Sequence, residues 1–129
     1  MQECFSLLVE ERLSVLLILL KIFPNLKGYD LFKEGAKRII NDKSKKVNVG
    51  TRLYQELADY FNIKLEVVER AMRHCIDVSF KRNGLKDFEK ACNVKFSCVK
   101  PRPKELLCLL AEKVELDVQD MIKKYWNKF

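Results

Sequence analysis

Glu66, Glu69, Arg70, Arg73, His74 and Asp77 follow one another at steps of one and three residues within the stretch 65–82. On an α-helix that spacing gathers all six on one side, because residues three and four apart share a face. Leu65, Val68, Met72, Ile76 and Ser79, with Ala71 and Cys75 beside them, then take the inward face. Arg70 and Arg73 become outward neighbours near the helix's N-terminal half. Two guanidiniums presented this way can each bond O6 and N7 of a guanine in the major groove of DNA. Glu69 can accept from a cytosine amino group or orient an arginine. The same residues also fit a solvated face with Glu66–Arg70 and Glu69–Arg73 pairs at i, i+4, each worth only about 0.2–0.5 kcal/mol. Spacing alone leaves both readings open.

Other chemistries find little to work with. Five cysteines are scattered without a CxxC pair and His74 is the single histidine, so the paired ligands of a structural zinc site are missing. The thiols read as buried, reduced, small apolar groups of a cytoplasmic protein. With no glycine-rich phosphate loop, metal-ligand cluster or nucleophile–base pair, neither an enzyme nor a cofactor nor a metal is expected. An excess of 25 Lys and Arg over 18 Asp and Glu gives a formal charge of +7. Such a charge favours an anionic partner, nucleic acid being the commonest.

For the arginines to be presented, a second helix must brace theirs. Leu57, Phe61, Ile63 and Val68 are apolar where two helices would face each other, and Ala58 is small where they would cross. Asn62 stands at the joint, where a left-handed backbone is commonly needed and asparagine tolerates it. The order Leu-Ala-x-x-Phe-Asn-Ile, with Val68 five residues after Ile63, fits a helix-turn-helix. Lys43, Lys45, Lys46, Arg52 and Lys64 lie around this unit and are candidate phosphate contacts.

With 129 residues, 48% of them hydrophobic, and only four glycines and three prolines, the chain reads as one all-α domain of long helices. Helices are predicted over 2–21, 29–42, 52–61, 65–82 and 85–92, then over a sixth stretch from Pro103 to about residue 114. Thr51 is the expected N-cap of the third, and Asn83-Gly84 the left-handed stop of the fourth. An irregular link is expected at 93–102, with a short extended piece at 94–99. The apolar run 13–23 is too short to span a bilayer, which takes about 20 residues. It lacks a cleavage site as well, and is read as a buried helix with no membrane role. Val118, Met121, Ile122, Tyr125, Trp126 and Phe129 make one apolar stripe, predicted on an additional C-terminal amphipathic helix over 117–129 that either docks on its own domain or forms a homodimer.

Lys27-Gly28-Tyr29, then Val68-Glu69-Arg70-Ala71-Met72-Arg73-His74, then Lys100-Pro101 occur in one order and spacing. Together they resemble the C-terminal effector domain of the stage-zero sporulation protein A family of response regulators, over about 13–116. The resemblance implies a six-helix, all-α domain whose third and fourth helices read double-stranded DNA. It also implies tandem dimers on repeated boxes, contact with the RNA polymerase sigma factor, and transcriptional activation or repression. Base reading carries over to Glu69, Arg70, Arg73 and His74. Val67 departs from the pattern, standing where the family has a further DNA-contacting arginine, and 63–66 also differ. The chain starts at a methionine with no receiver-like segment, so a free-standing relative not switched by phosphorylation is expected. The alternative is a protein-interaction module of the same fold, binding polymerase or a full-length relative without specific DNA reading.

Overall fold

In the computed structural model, which describes residues 2–42 and 51–126, the chain forms six helices. These are α1 (Gln2–Leu19), α2 (Lys27–Asn41), α3 (Thr51–Phe61), α4 (Leu65–Lys81), α5 (Gly84–Cys92) and α6 (Pro103–Trp126). No strand occurs among the described residues, so the fold is all-α. Leu13, Leu17, Leu20, Phe32, Leu53, Leu57, Val68, Met72, Phe88, Leu106, Leu107 and Leu110 are completely buried in one continuous core. Each comes from an apolar stripe at helical spacing, and all six helices contribute. At its centre α2 touches α1, α3, α4 and α6, which makes it the strut between the amino-terminal helix and the helix-turn-helix.

Several boundaries differ from those the sequence suggested. Rather than running to Lys21, α1 stops at Leu19 because Lys21 takes a left-handed conformation (φ 63°). Ile22 N–H then bonds Leu17 O at 2.9 Å and Lys21 N–H bonds Ile18 O at 2.9 Å, a Schellman closure. Thr51 lies inside α3 rather than before it. The 94–99 piece is not a strand: the Phe96 and Ser97 amides are taken by the Glu89 and Glu105 carboxylates, at 2.8 Å each. The stripe after Val114 is not on a separate helix. No glycine or proline interrupts 104–126, so α6 simply continues to Trp126. Among the thiols, Cys75 and Cys92 are buried as expected, but Cys4, Cys98 and Cys108 are exposed, on outward helix faces and in the 93–102 link.

Ion pairs stitch α1 to its neighbours. Arg12 Nε lies 2.8 Å from Asp117 Oδ2 on α6, and Glu10 receives both Lys33 and Lys37 from α2. Burial pushes the Glu10 carboxyl upward, but hydrogen bonds and charge from the two lysines outweigh it and hold the group below its usual 4.5. For Lys33, burial acts downward and bonding to Glu10 outweighs it, so the ammonium is raised above 10.5. A depressed carboxylate stabilises the fold above its unfolded value and loses that contribution as pH falls through its folded one. The raised ammonium keeps its contribution until pH climbs past 10.5. Glu10→Gln should therefore lower stability near neutrality by on the order of 0.5 kcal/mol, the pair being partly solvated. The gap between variant and wild type should close in acid below pH 4.5, which thermal melts across pH will test.

Candidate nucleic-acid interface

Between α3 and α4 the chain turns in three residues. Asn62 is left-handed (φ 54°), Asn62 N–H bonds Asp59 O at 3.3 Å, and Ile63 N–H bonds Ala58 O at 2.9 Å. These two bonds cap the carbonyls of α3 and swing the chain into α4, whose first turn opens after Lys64. Leu53, Leu57 and Ala58 of α3 are buried, as are Val68, Ala71, Met72, Cys75, Ile76 and Ser79 of α4. From behind, α4 is held by α2 at Gly28. A Cβ there would lie 2.3 Å from Cys75 Sγ and 2.7 Å from Ala71 O, so the helices meet at backbone distance. Burial raises the Cys75 thiol to about 11, the Gly28 backbone bond opposing it only in part, which leaves the group a packing element.

The opposite face of α4 is the one the spacing marked out. Glu66, Arg70, Arg73, His74 and Asp77 are exposed, and Glu69 is half-buried. Among the described residues, ion pairs at i, i+4 form at Arg38–Glu34 and Lys113–Asp117. None joins Glu66 to Arg70 or Glu69 to Arg73, so the plainer reading of this face loses its pairs and both arginines are left exposed. Asp77 instead meets Lys100 Nζ at 3.2 Å, and that ammonium also lies 5.1 Å from the Phe80 ring centre.

Beside α4 a cleft of about 450 Å³ is lined by Tyr54, Glu69, Arg73, Arg102, Pro103 and Lys104. Burial above all, and then the Glu69 carboxylate, push the Tyr54 hydroxyl upward while Arg73 opposes them, so the phenol stays protonated. The start of α6 thus brings Arg102 and Lys104, both exposed, to the edge of the helix-turn-helix. Sequence reasoning did not select these two. They lie 29 or more positions from Arg73, and the one local sign was a basic residue set between Pro101 and Pro103. Of the candidate phosphate contacts, Arg52 is exposed in the first turn of α3 and Lys64 is exposed just before α4. Lys43, Lys45 and Lys46 lie outside the described residues.

The family model for the sporulation initiation factor Spo0A C terminal matches residues 14–114. The chain belongs to that family. Spo0A C-terminal domains are DNA-binding effector domains of sporulation transcription regulators, not a class of enzymes. The six-helix architecture agrees with that membership. No helix among the described residues is long and apolar enough to cross a membrane. The matched span contains all of α2 to α5 and ends inside α6, so the first turns of α1 and the last turns of α6 lie outside it.

Proposed function

We propose that the protein is a sequence-specific reader of double-stranded DNA that regulates transcription, with α4 entering the major groove. The observation that carries this reading is the pair Arg70 and Arg73, exposed side by side on α4 and engaged by no carboxylate of their own helix. Both are free to form bidentate bonds with guanine, while Glu69 and His74 extend the same face toward neighbouring bases. Glu69 is half-buried where this face meets the cleft lined by Tyr54 and Arg73. Arg102 and Lys104 at the cleft beside α4, together with exposed Arg52 and Lys64, would bind phosphates, and Lys43, Lys45 and Lys46 are proposed for the same role.

The test is fluorescence anisotropy at near-physiological salt, comparing duplexes carrying the family's repeated box with scrambled duplexes of equal length. A preference of about a hundredfold, roughly 3 kcal/mol, is the expected outcome. Equal binding to both, followed by a flat random-sequence selection, would sink the reading. Arg102→Ala and Lys104→Ala should each weaken all duplexes alike and reduce the slope of log affinity against log salt by about 1. A loss confined to one sequence would place them at bases.

A second reading keeps the fold and gives it a protein partner, RNA polymerase or a full-length relative. One observation favours it: a groove of about 630 Å³ flanked by Phe80, Leu85, Phe96 and Val99, with Val99 73% exposed. This groove lies at the far end of α4 from Arg70, so a polymerase contact there is compatible with DNA in place.

A further inference from the structure

The outward face of α4 carries, by itself, a charge of the wrong sign for a polyanion. Glu66, Glu69 and Asp77 set three carboxylates against the two guanidiniums of Arg70 and Arg73. Such a face is repelled by phosphates unless cations reach it from another part of the chain. The segment 97–104 brings them. Lys100 Nζ lies 3.2 Å from Asp77 Oδ1 and 5.1 Å from the Phe80 ring centre, while Arg102 and Lys104 line the cleft that holds Glu69 and Arg73. With these three residues, five cations stand against the three carboxylates.

Side-chain bonds and packing, not regular secondary structure, hold the start of this segment. Phe96 N–H bonds the Glu89 carboxylate at 2.8 Å, and the Phe96 ring stacks on Phe88 with 5.8 Å between centres. Ser97 then bonds Glu105 twice, donating from its amide at 2.8 Å and from its hydroxyl at 2.7 Å. Glu105 lies in the first turn of α6, so the two ends of the segment are tied to each other. Between them Pro101 is buried, and its neighbours Lys100 and Arg102 are exposed. Asp77 stands one turn beyond Arg73. A recognition helix with its N-terminal half in the groove passes back toward the phosphate rim at that point.

We infer that Lys100 is a positioning residue for DNA binding, acting through Asp77: it neutralises a carboxylate that would otherwise repel the duplex backbone. The inference rests on α4 being the helix that meets DNA. Both side chains stay about half exposed, 49% for Lys100 and 51% for Asp77, so the pair adds little to stability. Its effect falls on an approaching polyanion instead. Engaged by Asp77, Lys100 holds no phosphate, which separates its role from that of Arg102 and Lys104.

The test is anisotropy titration of matched and scrambled duplexes across a range of salt. Lys100→Met bares Asp77 and should weaken both duplexes roughly 2–5-fold, with the slope of log affinity against log salt nearly unchanged. Asp77→Asn frees Lys100 for a phosphate and should tighten both by a similar factor, steepening the slope by about 0.9. A gain of this kind cannot come from misfolding. The double variant lacks both charges and should return close to wild type, and Lys100→Arg should match wild type throughout. If Lys100→Met instead flattens the slope by about 0.9 and Asp77→Asn does not rescue it, Lys100 is a plain phosphate contact and the inference is overturned. Unchanged affinity in both single variants overturns it too, leaving the pair a structural tie. A wild type that prefers the family's box while all these variants bind alike removes this inference and spares the DNA reading. One that binds no duplex at all removes both.

Discussion

Alanine in place of Arg70 or Arg73 is expected to cost about 1–3 kcal/mol on the preferred duplex and to relax the preference at one base pair each. The expectation comes from three features that coincide only on this face of α4. The side chains are exposed, so truncation should change fold stability by no more than about 0.5 kcal/mol. They are three residues apart, which sets their Cβ atoms about 5–6 Å from each other and aims them at neighbouring base pairs. Neither is held by Glu66 or Glu69, so no intramolecular ion pair must break before DNA is bound. Arg73→Lys separates charge from geometry. It keeps the cation but loses the planar fork, and should lose nearly as much discrimination as Arg73→Ala while holding scrambled DNA almost as tightly as wild type. Anisotropy titrations of matched and scrambled duplexes at several salt concentrations will measure both quantities. If the alanine variants weaken the two duplexes equally, Arg70 and Arg73 hold phosphates, and base reading must come from elsewhere on α4.

What the sequence made legible follows from how local each signal is. The α3–α4 joint was readable because Asn62 is one of the few residue types that enter the left-handed region cheaply, and the apolar spacing around it is contained within about one turn on either side. The same signal marks Asn83 and Asn93, both left-handed at helix ends. Lys21 carries no such signal. Its left-handed backbone is imposed by burial of Leu20 and Ile22 on either side, a tertiary demand that its own chemistry does not announce. The Tyr54–Glu69–Arg73–Arg102–Lys104 cleft was hidden for a related reason, since it exists only once α6 is laid across the helix-turn-helix. The outward apolar face of α1 was hidden by its own helix. A helix this rich in leucine reads as core, and burial separates Leu13, which is inside, from Leu7 and Ile18, which are not.

Gly84 shows the limit most sharply, because local reasoning and packing predict opposite signs for one substitution. Read locally, Asn83-Gly84 is a left-handed stop, and Gly84→Ala is judged by backbone freedom alone. Yet of the two only Asn83 is left-handed (φ 61°), and no glycine among the described residues has positive φ. Gly84 opens α5 in an ordinary helical conformation, where alanine would by entropy stabilise the protein by about 0.4–1 kcal/mol. Packing forbids it. A Cβ at 84 would sit 1.9 Å from Leu20 O and 2.4 Å from Leu20 C, backbone atoms that cannot rotate aside. It would also lie 2.8 Å from Ser79 Oγ, which donates a fully buried hydrogen bond of 2.6 Å to that same Leu20 O. Admitting the methyl means parting α5 from the end of α1 and stretching the bond that ties α4 to it, leaving a hydroxyl and a carbonyl short of partners. Gly84→Ala is therefore expected to destabilise by about 3 kcal/mol or more, read as a lower urea midpoint at unchanged slope. A variant as stable as wild type would mean that α5 shifts at little cost, and that the far end of α4 is positioned by α2 at Gly28 rather than by this junction.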